Sequence, residues 1–258
     1  MTGRTRTTAP MTLWRLERVR LLRTHRWMIL FGVFALTGVL GALGARYMNE
    51  LVERFAGEVT IVAPDPRPVD GIIQFVSNAT QLGVLAVVVV AAGALTVDAK
   101  PELAAFLRTK VTRAAILLVP AYTVTAVATV AALVVGTALT WVLTEALIGP
   151  LPAGSVLVGT LYGALFYVFA VAVVAAVAGY TRGQAATVFG ALGALLLLPI
   201  VGIIDPVAAW LPSRLATAVA ALVEGAPAGE FTRAAVVSVV ATVALLALAA
   251  HRLERREL

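Results

Sequence analysis

Apolar residues run through this chain in blocks of about twenty, the length that crosses the hydrocarbon core of a bilayer. Charged residues fall in the gaps between the blocks. The pattern predicts six transmembrane helices, at about 27–45, 71–95, 114–143, 155–180, 185–204 and 232–250. Gly38, Gly41 and Gly44 give the first span a smooth strip that another helix can approach closely. Met48, Leu51, Val52 and Phe55 keep a helical spacing beyond it, so the helix is expected to run on to about Ala56. Pro64, Pro66 and Pro68 then require an extended segment. Pro120 is expected to kink the third span.

The gaps predict further elements. Residues 1–26 carry seven arginines against one acid, Glu17, and read as a basic arm with an interfacial helix, not as a cleaved signal. Leu13, Trp14, Leu16, Val19, Leu21 and Leu22 supply its apolar side, but basic and apolar positions interleave around the helical wheel. Residues 205–231 are too broken by Pro206, Pro212, Gly225, Pro227 and Gly229 to span a membrane. The apolar run 215–223 within them predicts a re-entrant or interfacial helix.

The segment 96–113 is a compact charged helix between two long apolar blocks. Pro101 suits a first helical turn, Asp98 and Glu102 lie near the positive end of the helix dipole, and Arg108 and Lys110 lie at the negative end. Leu103, Phe106 and Leu107 form one apolar face on a helix too short to stand alone in water. It calls either for a partner protein or for packing on its own protein or on lipid headgroups.

Composition changes the picture in three ways. With 60% apolar residues, 13% charged residues and a mean hydropathy of +0.96, the chain reads as an all-α membrane protein, a single transmembrane domain over residues 1–258. The absence of cysteine excludes disulfides, thiolate metal sites and thiol catalysis. Charge sets the orientation: with both termini in the cytoplasm, fifteen of the 20 Lys and Arg residues fall inside and five outside, whereas five of the 14 acids fall inside and nine outside. The basic residues then meet anionic lipid and protein partners, and nucleic acid is not expected. Arginine greatly outnumbers lysine, which occurs only at Lys100 and Lys110, a bias of high-GC bacterial genomes that points to a bacterial inner membrane.

Candidate chemistry is sparse. Gln74, Asn78 and Gln81 are spaced by four and three on one helix face, with Ser77 alongside. They read either as interhelical hydrogen bonding or as a polar patch on a substrate path. Tyr162, Phe166, Tyr167 and Phe169 on the fourth span suit packing or an aromatic ligand. No phosphate-binding G-x-x-x-x-G-K-[ST] loop, H-E-x-x-H or G-x-S-x-G is present, and no Asp, Glu, Lys or Arg lies in the core of a span. Any use of ATP therefore requires another subunit. Ion-coupled carriage lacks its usual mid-membrane ionisable groups.

In order along the chain, LWRLERVRLLRTHRWMIL (13–30), GALTVDAKPELAAFLRTKVTRAAIL (93–117) and WLPSRLATAVAAL (210–222) resemble three parts of the membrane-permease subunit of type-2 ABC exporters. These are the basic connecting helix, the cytoplasmic coupling helix between spans two and three, and the re-entrant outer helices between spans five and six. The resemblance covers nearly the whole chain and rests on pattern, since the family has no catalytic signature. Lys100, Pro101 and Glu102 stand where members commonly have Gly-Thr after the acidic residue, so the start of the coupling helix departs from the family.

The resemblance implies a non-enzymatic transporter subunit with no cofactor of its own, ATP and Mg²⁺ being held by a partner ABC ATPase. It further implies a second permease copy, identical or related, and a path lined by spans one, two and five. It assigns ATPase contact to Asp98, Glu102, Leu103, Phe106, Leu107, Arg108 and Arg113. A secondary transporter or channel, and a membrane-assembly protein without a transport path, are the other classes the residues leave open.

Overall fold

A computed structural model describes residues 10–55, 65–96 and 115–255. Among these, every regular element is helical, and six helices are long and apolar enough to cross a membrane. The chain is a multi-pass membrane protein. Helix α1 (Pro10–Arg23) is followed by α2 (Arg26–Phe55), the first span. The second span is composite: α3 (Pro68–Asn78), a π-helical turn (Ala79–Gly83) and α4 (Val84–Leu95). Helices α5 (Ala115–Leu147), α6 (Ala153–Ala178) and α7 (Gln184–Val201) are the next three spans. Between α7 and the last span, α10 (Thr232–Arg255), lie α8 (Asp205–Ala208), a 3₁₀ turn (Pro212–Thr217), α9 (Ala218–Val223) and a second 3₁₀ turn (Ala228–Phe231).

All six expected spans are present, and their ends move by a few residues. The first helix reaches Phe55, as the extended apolar spacing predicts. The third span continues past the expected residue 143 to Leu147, with Pro120 inside an unbroken helix. Its end is fixed by Glu145, whose Oε1 accepts from Trp141 Nε1 at 2.7 Å and from the Leu151 amide at 3.5 Å. Pro68 opens α3 at a position where a missing N–H has no consequence, and the Asp70 carboxylate accepts from the Arg67 amide at 2.8 Å.

Close backbone approach builds the centre. In lipid no hydrophobic effect drives helices together, so van der Waals fit and interhelical hydrogen bonds hold them. A Cβ at Gly38 of α2 would lie 2.5 Å from the Gly136 carbonyl oxygen of α5, and one at Gly41 would lie 2.9 Å from the Gly71 carbonyl oxygen of α3. The glycine strip therefore serves two neighbours, α5 through Gly38 and α3 through Gly41. At the first crossing Thr140 Oγ1 donates to the Gly136 carbonyl at 2.9 Å and lies 3.2 Å from the Gly38 carbonyl. Phe34, fully buried, fills the space beside this crossing and meets Tyr167 of α6 edge-on at 5.2 Å.

Helix α6 is the central element. It packs against α4, α5, α7, α9 and α10, and buries most of its length. Gly159 admits α9 directly onto it, against the backbone of Val219. Helix α7 is its opposite: Thr187, Ala191 and Leu195 form a single buried line, while Phe189, Leu196, Leu197 and Ile200 are exposed. The four tryptophans sit towards the two ends of the bundle, Trp14 and Trp27 at the end with α1, Trp141 and Trp210 at the other. Amphipathic aromatic rings collect at those depths in a membrane.

The N-terminal helix corrects one expectation. The interleaving of basic and apolar residues on α1 arises because its inward face is itself polar. Leu13, Trp14, Glu17, Arg20 and Leu21 are half-buried against α2 and α5, while Leu16, Val19 and Leu22 are exposed. A left-handed residue, His25 (φ 56°), separates α1 from α2.

Candidate functional site

The residues assigned to ATPase contact, Asp98, Glu102, Leu103, Phe106, Leu107, Arg108 and Arg113, lie outside the described residues. What is described is the point from which that segment departs. Thr96 ends α4 and is 4% exposed, with its Oγ1 3.3 Å from Thr187 Oγ1 at the start of α7. Thr187 Oγ1 donates to the Gly183 carbonyl at 3.0 Å and lies 2.5 Å from Thr181 Oγ1. Three hydroxyls thus fasten the exit of the second span to the turn between the fourth and fifth.

One turn before Thr96, Gly93 is crowded by three long polar side chains. Arg20 Nη2 of α1 donates to its carbonyl at 3.4 Å. A Cβ at Gly93 would lie 2.8 Å from Arg26 Nη2 and 3.1 Å from Gln184 Nε2, so a side chain there would displace the ends of both. Glu17 balances the two arginines from α1, 3.5 Å from Arg20 Nη1. Loss of hydration raises the Glu17 pKa above the ordinary 4.5, against the lowering effect of Arg20 and Arg26. The α1 helix, α2, α4 and α7 therefore meet in one polar knot at the base of the 96–113 segment. Close by, the Arg252 guanidinium at the end of α10 lies 4.5 Å from the centre of the Tyr180 ring.

The second candidate region is the composite span. Ser77 and Gln81 lie on its exposed strip, continued by Leu85 and Val89, and Gln74 and Asn78 flank the strip half-buried. Gln74 packs towards α2, its Cγ 3.6 Å from where a Gly44 Cβ would be. Among the described residues none of the four side chains makes a hydrogen bond.

The π turn at Ala79–Gly83 follows Asn78 and contains Gln81. Such turns add a residue to the helix and occur often at functional sites. Its frame is Tyr167, fully buried, whose hydroxyl donates to the Ala79 carbonyl at 2.8 Å. The turn brings Thr80 and Gln81 to a groove of about 790 Å³ between this span and α7, closed at one end by the 3₁₀ turn that carries Arg214. Of the four aromatic residues on α6, Phe166 lines this groove, Tyr167 frames the π turn, Phe169 is buried and Tyr162 donates to the Ala228 carbonyl at 3.0 Å.

Comparison with protein families, curated proteins and solved structures returns no match for the chain. The functional reading accordingly rests on geometry. Sequence reading does not single out Thr96, Thr187, Arg20, Arg26, Gly93 and Gln184 as a group, because they converge from four helices and have no common period. The one available signal is a Thr or Gln immediately at a predicted span end, where a polar partner from another span end is at the same depth.

Proposed function

We propose that this chain is the membrane-spanning subunit of an ATP-driven exporter of the type-2 ABC kind. It pairs with a second permease copy and takes its energy from a separate ATPase that holds ATP and Mg²⁺. Both termini and the 96–113 segment face the cytoplasm of a bacterial cell in this reading, and the short helices of 205–231 are re-entrant from the outside. The observation that carries the reading is the polar knot at Thr96. A short charged segment displaced by an ATPase would pull on Thr96, and Thr96 bears directly on α7 through Thr187 and, through Gly93, on α1 and α2. Energy delivered at one loop would reach the first, second and fifth spans, the three that line the path.

Three further features support it. The described arginines gather at the end that carries Thr96, namely Arg15, Arg18, Arg20, Arg23, Arg26, Arg182, Arg252 and Arg255, against Arg46, Arg54, Arg67, Arg214 and Arg233 towards the other. Helix α4 packs against both α2 and α7, and Gln81 of the second span lines the groove that lies beside α7. Helix α7 has one buried line and otherwise presents apolar side chains, as a helix that moves against its neighbours or meets a second copy would.

The test is co-purification. Phe106→Glu with Leu107→Glu removes two apolar side chains of the 96–113 segment and should abolish recovery of the ATPase subunit while leaving the chain in the membrane. Recovery at the wild-type level removes that segment as the coupling element. Transport by the chain alone in ATP-free liposomes removes the exporter reading altogether.

A further inference from the structure

We infer that the groove between the second span and α7, joined to the arginine pocket at its end, is a binding site for an anionic phospholipid of the surrounding bilayer. The groove has two different ends. Its floor is apolar, formed by Val84, Phe166 and Leu195, and it opens sideways between the exposed side chains of Leu85 and Leu196 towards the hydrocarbon. Along α7 it extends from Leu192 to Gly202, a rise of about 15 Å, which accommodates an acyl chain lying along the helix.

The other end is cationic. Arg214 lines the groove and also lines an adjoining pocket of about 470 Å³ that contains Glu230 and Arg233. One molecule with an apolar tail and a polar head fits both spaces at once. The charge of the pocket selects the head. Arg214 Nη2 is held by Glu230 Oε2 at 2.8 Å and stacks on Phe231, so its position is fixed but its charge is balanced. Arg233 has no carboxylate partner among the described residues; its guanidinium lies 5.5 Å from the Trp210 ring centre, in an exposed position. Two guanidiniums against one carboxylate leave one positive charge facing a membrane surface, which a phosphodiester neutralises with charge-assisted hydrogen bonds. A zwitterionic head brings its own cation and gains less. The Gln81 side-chain amide, without a partner among the described residues, lines the same groove and offers a donor to an ester carbonyl.

The inference requires only that the chain spans a membrane and is independent of the exporter reading. Its test uses the full chain in nanodiscs of mixed phosphatidylglycerol and phosphatidylcholine, with the lipid retained after detergent extraction weighed by native mass spectrometry. The wild-type chain should retain phosphatidylglycerol in preference. Arg233→Gln should lower that preference about tenfold, the factor that corresponds to one charge-assisted hydrogen bond. Ala216→Trp, which fills the groove, should reduce retention of both lipids, with the thermal transition of each variant showing that it is folded. Equal retention of the two lipids by the wild-type chain, or an Arg233→Gln variant with undiminished preference, overturns the proposal. A Leu196→Cys disulfide joining two chains with no phosphatidylglycerol retained gives the groove to a second copy and overturns it as well.

Discussion

Thr96 and Thr187 are 91 residues apart in sequence, and their hydroxyl oxygens lie 3.3 Å apart in a buried position. Their contact joins the first residue of the 96–113 segment to the first turn of the fifth span. Thr187→Val keeps the shape and removes the hydroxyl, so it should lower stability by about 1 kcal/mol, the usual worth of an interhelical hydrogen bond in a membrane. In the exporter reading it should also lower transport per ATP hydrolysed while ATPase binding persists. Because the chain has no cysteine, Thr96→Cys with Thr187→Cys gives a clean check. Oxidation should protect both thiols from alkylation, and full alkylation under oxidising conditions would refute the contact.

The glycine crossing of α2 and α5 makes a sharper stability prediction. Gly38→Leu drives a side chain into the Gly136 carbonyl, whereas a Cβ at Gly32 meets nothing within 4 Å. Overpacking of this kind costs about 1–3 kcal/mol and more when backbone must move. Gly38→Leu should therefore unfold at markedly lower temperature, and Gly32→Leu should leave the transition within experimental scatter. The measurement is a thermal unfolding curve in one detergent, and equal curves for the two variants would contradict the packing.

How much of this was legible in the sequence follows from where each signal comes from. The six spans were legible because each is long enough to fill a bilayer and punctuated by Pro, Gly or charge, as at Pro68 and Gly183. The Gly38, Gly41 and Gly44 strip was legible as a contact surface, though not as a shared one, since a spacing of three does not say which neighbour each glycine meets. Helix α1 was legible only in part, because its buried side carries Glu17 and Arg20 and so defeats the apolar period. The π turn had no signal at all: Ala79–Gly83 reads as ordinary helix, and Tyr167, whose hydroxyl donates to the Ala79 carbonyl, lies 88 residues away in sequence.

That tyrosine gives a third prediction. Tyr167→Phe preserves the ring, its edge contact with Phe34 and its burial, and removes only the hydroxyl that donates to Ala79. The loss of one buried hydrogen bond costs about 1 kcal/mol, and the π turn loses the side chain that holds it. Gln81→Cys in the Tyr167→Phe background should then react with a water-soluble thiol reagent at a changed rate relative to Gln81→Cys alone. An unchanged rate together with an unchanged thermal transition would mean that the turn is set by the backbone of its own helix.

Glu17 supplies the pH dependence. Its folded-state pKa lies above the ordinary 4.5 because burial against α2 and α5 removes its hydration, with Arg20 and Arg26 only partly compensating. A raised carboxyl pKa means that the docked helix prefers the protonated form. The corresponding stabilisation is complete below the ordinary value and is lost as pH rises from 4.5 through the raised one. Hydrogen exchange at the amides of α1 should therefore be slower at acid pH than at neutral pH, after correction for the intrinsic pH dependence of exchange. Glu17→Gln fixes the neutral form at every pH. It should flatten that dependence and give at neutral pH the protection that the wild-type helix reaches only in acid. If the variant instead exchanges faster at neutral pH, the ion pair with Arg20 outweighs desolvation and the order of the two effects is reversed.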